Sequence, residues 1–222
     1  MKTIVLNVVL CVLLSWTHGF AQIMGGELTN RVNLLYGLNE PINQDGFNIE
    51  GNLFYNRLAF DYYHSVSLDF TNSMLEDDVD GEDFAHGLTI HLPYSTGFGV
   101  GYRFYEWLNM RVEPKWHRFE LYYEDDNQVK ANRIAAYTNF TLGLGVYGSI
   151  LPFKESGNFL KGIVIVPSVR WWPQVTSTLK DDELRYYNRV TESMEMHTAR
   201  EIGINNTAFI LNISIGYSFD LN

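Results

Sequence analysis

Cysteine is nearly absent from this chain of 222 residues, and the one present, Cys11, sits inside an apolar N-terminal stretch. A disulfide framework is excluded, because no second thiol exists to pair with it. Long apolar runs are missing as well. Past that first stretch nothing approaches the roughly 18–20 continuous apolar residues of a membrane-crossing helix, so a helical span is excluded. Segments of helical period are also lacking, which leaves nothing to cover the apolar face of an open soluble sheet. Basic residues are in deficit, with 16 Lys and Arg against 26 Asp and Glu and a net charge of −10. Such an acidic chain is a poor partner for nucleic acid.

The N-terminus has the parts of a secretory signal. Lys2 supplies the positive start, Ile4 to Leu14 is mostly apolar, and Gly19-Phe20-Ala21 puts small residues at the −3 and −1 positions of a cleavage site. Leu10 stands before Cys11 where lipoprotein processing wants a small residue. The expected organisation is therefore a signal peptide over 1–21 and one β-barrel domain over 22–222.

What the chain has in abundance is alternation. From Phe84 to Phe104 one set reads Phe84, His86, Leu88, Ile90, Leu92, Tyr94, Thr96, Phe98, Val100, Tyr102, Phe104, while the residues between are small or polar. A strand sends successive side chains to opposite faces, so this is a β pattern. It recurs in eight segments: 30–38, 47–55, 58–70, 84–104, 108–123, 133–147, 163–174 and 209–219. The fifth sets Leu108, Met110, Val112, Pro114 and Trp116 outward, and its apolar residues then fall at Phe119, Leu121 and Tyr123, which predicts a β-bulge near His117–Arg118. The second carries one exception on its polar face, Phe54. Connections at 56–57, 106–107 and 150–158 are short; those at 39–46, 71–83, 124–132 and 175–206 are mostly longer and more polar. An all-β fold follows: an antiparallel up-and-down barrel of eight strands, with ten as the alternative should 84–104 break at Pro93 or 175–206 hold a hairpin.

Periodicity alone does not tell inside from outside, but the polar set does. It mixes Gly, Ser, Asn and Thr with charges of both signs, Glu50, Asp61, Asp69, Arg103, Arg111, Glu113, Lys115, Arg133 and Arg170. These can neutralise one another inside a closed barrel whose apolar face meets lipid. Aromatics at 15%, including 14 Tyr, agree, because membrane barrels use aromatic rings as interfacial girdles. Trp107, Tyr102, Phe104, Tyr105, Phe153, Phe159, Tyr217 and Phe219 fall toward one set of strand ends, where a girdle is expected.

Two segments carry a resemblance. Ser214-Ile215-Gly216-Tyr217-Ser218-Phe219-Asp220-Leu221 resembles the β-signal read by the bacterial barrel-assembly machinery, with Ser214, Gly216, Phe219 and Leu221 at its defining positions. Gly97-Phe98-Gly99-Val100-Gly101-Tyr102-Arg103-Phe104 followed by Glu106-Trp107-Leu108-Asn109-Met110-Arg111-Val112-Glu113 looks like the strand, short turn and strand of small outer-membrane barrels of the OmpA-barrel, OmpX and OmpW type. The resemblance is architectural. It implies an integral bacterial outer-membrane location, outer-membrane lipid and the assembly machinery as partners, and no catalytic motif or cofactor.

Candidate sites are few. Glu50, Asp61, Arg103, Arg111, Glu113, Lys115 and Arg170 form an expected interior network, read as a structural plug or, alternatively, a narrow path for solutes. Glu76 to Asp83 offers six carboxylates, but calcium-loop spacing fails because Gly87 stands where a bidentate Glu is needed. His64 with Ser65 or Ser67 suggests a lipid-modifying enzyme, yet His64 falls in the outward phase and the serines in the inward one. His91 and His117 lack metal spacing. The reading is a non-enzymatic barrel acting structurally or through its loops, 175–206 above all; a conduit and a lipid-modifying enzyme are the alternatives.

Overall fold

Alternation becomes eleven strands in a computed structural model that describes residues 28–39, 41, 46–69 and 87–221. The signal peptide, the carboxylate run 76–83, Phe70, Phe84 and His86 lie outside the described residues. In chain order the strands are β1 (Arg31–Gly37), β2 (Phe47–Tyr55), β3 (Leu58–Asp69), β4 (Leu88–Tyr105), β5 (Leu108–Tyr123), β6 (Ala135–Gly148), β7 (Ile163–Trp171), β8 (Gln174–Ser177), β9 (Glu183–Asn188), β10 (Ser193–Thr198) and β11 (Phe209–Asp220). Strands β1 to β7 pair each with the next, β7 pairs with β11, and β11 returns to β1, all antiparallel. The ring of eight is closed, so it has no open edge to leave backbone groups unpaired in lipid.

The hairpin anticipated in 175–206 exists but stays out of the ring. After the break at Trp172-Pro173, β8 runs beside β6, and β9 and β10 form a separate two-stranded sheet. Eight strands, not ten, make the barrel. The turns at Asn56-Arg57 and Glu106-Trp107 lie at the end where Arg31 pairs with Asp220. Asn56 has φ 50°, a left-handed conformation that Asn tolerates and a two-residue hairpin needs. We call this the short-turn end and the opposite one the long-loop end.

The two faces are those of an inside-out barrel. Leu34, Phe60, Phe98, Val112, Leu144, Val169 and Ile215 are exposed on the outside, while Asn33, Asn52, Asp61, Ser95, Arg111, Glu113 and Ser214 are buried within. A continuous apolar exterior of this extent is costly in water and suited to hydrocarbon.

Toward the long-loop end the phase departs from the sequence expectation. Leu88, Ile90 and Leu92, expected outward, are buried inside with Leu68, Phe119, Leu121, Tyr123, Tyr137 and Tyr186. The irregularity is not at His117–Arg118: the β5–β6 register runs unbroken from Leu108 to Leu121. It lies on β4, where the register with β5 shifts between His91 and Tyr94. Pro93, with no N–H to donate, stands opposite Ser67, whose φ is 56°. Both strands flip there, sending Leu68 and Leu92 inward and placing His91 on the other face, in register with Asp69 and Glu120. The odd residues of β5 face inward throughout; what changes at Phe119 is the chemistry of the interior. Ile134 likewise packs against the inner apolar cluster and does not face lipid. β4, at 18 residues, is longer than the roughly 9–11 that cross a bilayer, so this end projects beyond it.

Candidate functional site

The middle of the barrel holds three carboxylates and three cations. From β5, Arg111 donates through Nη1 to Glu50 Oε1 at 3.0 Å and to Asp61 Oδ2 at 3.1 Å. Arg170, from β7, meets the other Glu50 oxygen through Nη2 at 2.9 Å. Lys115 Nζ lies 3.5 Å from Glu113 Oε1 and 3.7 Å from Asp61 Oδ1. Glu113 also accepts from Tyr147 Oη and from Trp172 Nε1, the latter at 2.8 Å. Charges taken this far from water must be paired, and here the six cancel.

Aromatic rings complete the packing. Tyr147 lies 3.9 Å from the Arg111 guanidinium and 4.9 Å from that of Arg170, while Tyr63 and Trp172 flank the Lys115 ammonium at 4.5 and 4.7 Å. Small residues make the room. A side chain on Gly143 would collide with Trp172, and one on Gly145 with Tyr147 and, at 2.6 Å, with Glu113. Gly101 is tighter still: a Cβ there would collide with the Met110 carbonyl oxygen and come 2.8 Å from the Cα of Arg111, both backbone atoms that cannot swing away. Gly101→Ala is therefore expected to destabilise the folded barrel by about 1–3 kcal/mol, the usual cost of overpacking, read as an earlier midpoint in urea unfolding. An unchanged midpoint would contradict this close approach of β4 and β5.

Arg103 is not part of that cluster. With Arg31 it bridges Glu106 of the β4–β5 turn, Arg31 Nη1 at 2.7 Å from Oε1 and Arg103 Nη2 at 2.5 Å from Oε2. Phe54 separates this group from the central one and takes the guanidinium faces of Arg31, Arg103 and Arg111 at 5.1, 4.9 and 5.7 Å. That accounts for an aromatic residue on an otherwise polar strand face. Of the residues singled out in sequence, the structure thus brings Glu50, Asp61, Arg111, Glu113, Lys115 and Arg170 together and sets Arg103 apart. Asp69 and Arg133 do not join the interior cluster; Arg133 pairs with Glu120 toward the long-loop end, and Gln174 begins β8, bonded to Asp182 at 3.1 Å.

Above the central cluster, His117 bonds through Nδ1 to Ser95 Oγ at 2.7 Å and through Nε2 to Thr141 Oγ1 at 2.9 Å, and its ring stacks on Trp172. A Ser–His pair is the start of nucleophilic chemistry, but here both are fully buried and the second imidazole nitrogen is held by the Thr141 hydroxyl, where an orienting carboxylate would be needed. His64 is half-buried and stacks on Tyr62, with Ser65 on the opposite, inner face. Among the described residues no group of three His, Cys, Asp or Glu is placed to hold a metal ion. Ser214 faces inward, Gly216 packs against the Leu34 backbone, and Phe219 and Leu221 are exposed near the short-turn end.

Tyr147 and Trp172 were not recognised as members of the network, nor Val164 and Val166, which with Leu35 form a second inward apolar cluster. The signal was present for Trp172, which shares its parity with Ser168 and Arg170, and for Tyr147, in step with Gly143 and Gly145. Val164 and Val166 alternate with outward Ile163 and Ile165, and this unbroken apolar run hides the alternation.

The closed antiparallel ring, apolar outside and filled inside, defines a small transmembrane β-barrel. Short turns at one end and long excursions at the other make it a barrel of the outer-membrane type. No family model matches the chain, and no curated protein matches it in sequence. Among solved structures it is similar to Ail, the attachment invasion locus protein of Yersinia pestis, at 12% identity and a TM-score of 0.37, over 86% of this chain and 97% of that one. A major outer membrane protein from Thermus thermophilus aligns at 11% identity and a TM-score of 0.41, over 87% of this chain and 99% of that one.

Proposed function

We propose that the protein is a non-conducting, non-enzymatic barrel of the bacterial outer membrane that supports the envelope or acts through its outer loops. The observation that carries this is the filled lumen. Arg111, Glu113, Lys115 and Arg170 are each at most 1% exposed, so no water-sized passage runs beside them, and the apolar cluster around Leu121 and Ile90 closes the path above. A conduit would need hydrated charges along a continuous opening, whereas these are dry and neutralised in pairs. An enzyme would need its Ser95–His117 pair to meet substrate.

In this reading the short turns face the periplasm and the excursion carrying β8, β9 and β10 faces outward. Its free side, with Tyr187, Met194 and Met196 exposed, is the surface for a loop-binding partner. Ser214, Gly216, Phe219 and Leu221 serve recognition by the barrel-assembly machinery, and outer-membrane lipid contacts the exterior. The test is electrical: the purified barrel, verified by a heat-dependent shift in gel mobility, is inserted in planar bilayers. No stepwise ion current is expected. Reproducible unitary steps would overturn the plug and favour the conduit.

A further inference from the structure

At the short-turn rim the structure holds a partly enclosed cavity of about 330 Å³, lined by Arg31, Glu106, Lys154, Lys161 and Ser218, with Tyr217 and Phe219 on its apolar side. Its charge is not balanced. Glu106 is already bridged by both Arg31 and Arg103, which leaves one positive charge over before Lys154 and Lys161 are added. Asp220, also at the rim, offsets only one of these. The cavity is therefore a place for an anion.

A second observation points the same way. Among the described residues Ser218 Oγ and Arg31 Nε are buried without a hydrogen-bond partner, on residues 6% and 2% exposed. Buried donors without acceptors are costly, and both belong to residues that line the cavity. The setting then narrows the ligand. Phe219 is exposed on the outer face, Tyr217 packs against it with ring centroids 4.8 Å apart, and the Tyr217 hydroxyl is tied to the Phe159 carbonyl at 2.8 Å. A fixed aromatic pair beside a basic cavity marks the level at which lipid headgroups meet a barrel.

We propose that this rim cavity binds the phosphate of an anionic phospholipid in the leaflet at the short-turn end, with Lys154 and Lys161 as its charged jaws and Arg31 and Ser218 at its floor. The proposal rests on the membrane-barrel reading and adds to it a lipid that the barrel selects. Free inorganic phosphate has the same chemistry but no use for the aromatic side of the cavity.

The barrel would be reconstituted in phosphatidylcholine nanodiscs containing a minor share of phosphatidylglycerol, and the lipids it retains counted by native mass spectrometry. Wild type is expected to enrich phosphatidylglycerol about tenfold, and Lys154→Glu with Lys161→Glu to abolish the enrichment. Both lysines are exposed, so the heat-dependent mobility shift should be unchanged. Lys154→Gln with Lys161→Gln reads the same loss should reversed charges disturb the connection. Equal retention of the two lipids, or enrichment that survives both variants, overturns the proposal. Displacement of the lipid by inorganic phosphate alone assigns the cavity to the free ion and overturns the lipid. Absence of the mobility shift in wild type would instead count against the barrel itself, which keeps the two failures distinguishable.

Discussion

Barrels carrying Leu144→Arg or Ile213→Arg should fail to accumulate in folded, heat-shifted form. Leu144 on β6 is 44% exposed and Ile213 on β11 is 37% exposed, both on the outer face and in register with Trp171 and Pro167 of β7. A guanidinium there has hydrocarbon to face, and near the bilayer midplane that costs about 2–4 kcal/mol on a barrel's lipid side. The cost is about one and a half to three orders of magnitude in the folding equilibrium. Val190→Arg is the control. Val190 is 57% exposed as well, but it lies between β9 and β10, outside the ring, where arginine meets water. Opposite outcomes, with the control the more exposed of the three, would establish that lipid, not accessibility, decides. Normal yield of heat-shifted protein from both Leu144→Arg and Ile213→Arg would reverse the inside and outside of the barrel.

The register of the membrane part could be read from sequence because one face was uniformly apolar. A one-residue slip would send Phe98, Val100 and Tyr102 into the charged interior, so these strands have only one tolerable phase. The same rule misled where both faces turn apolar. Leu88, Ile90 and Leu92 continue the parity of Phe98 without a break, and nothing in their chemistry marks the flip at Pro93 and Ser67. Phe119, Leu121 and Tyr123 suggested a bulge on β5 because their interior is apolar, although their parity is that of His117 below them. The charge network was legible as a set, since Arg111, Glu113 and Lys115 share one parity on one strand. Its pairings were not, because they depend on how far each strand is sheared against the next. Glu50 reaches Arg111 and Arg170 across a lumen, between strands that share no ladder. Arg103 shows the limit: same strand face, different depth, and so a different partner in Glu106.

Arg111→Met should be the most damaging change within the lumen. Arg111 alone touches Glu50, Asn52, Asp61 and Asn109, and its guanidinium packs on Tyr147 and Phe54. Removing it leaves three buried carboxylates facing two cations, and stripping one partner from a buried charge cluster costs about 3–5 kcal/mol. Methionine fills much of the volume, so most of that loss is electrostatic. Adding Glu50→Gln should then recover a large part of it, because Asp61 and Glu113 are again matched by Lys115 and Arg170 while the amide oxygen still accepts from Arg170. Unfolding midpoints in urea for the two single variants and the double one give the coupling directly. If Arg111→Met alone leaves the midpoint unchanged, the network is not holding the barrel together. The same variants in planar bilayers separate a plug from a path. A plug loses stability and stays silent, since the rings of Tyr63, Tyr147 and Trp172 and the apolar cluster above them still close the lumen. Stepwise current appearing on loss of Arg111 would mean that this guanidinium is a gate, and that the charges beneath the cap form a route and not a filling.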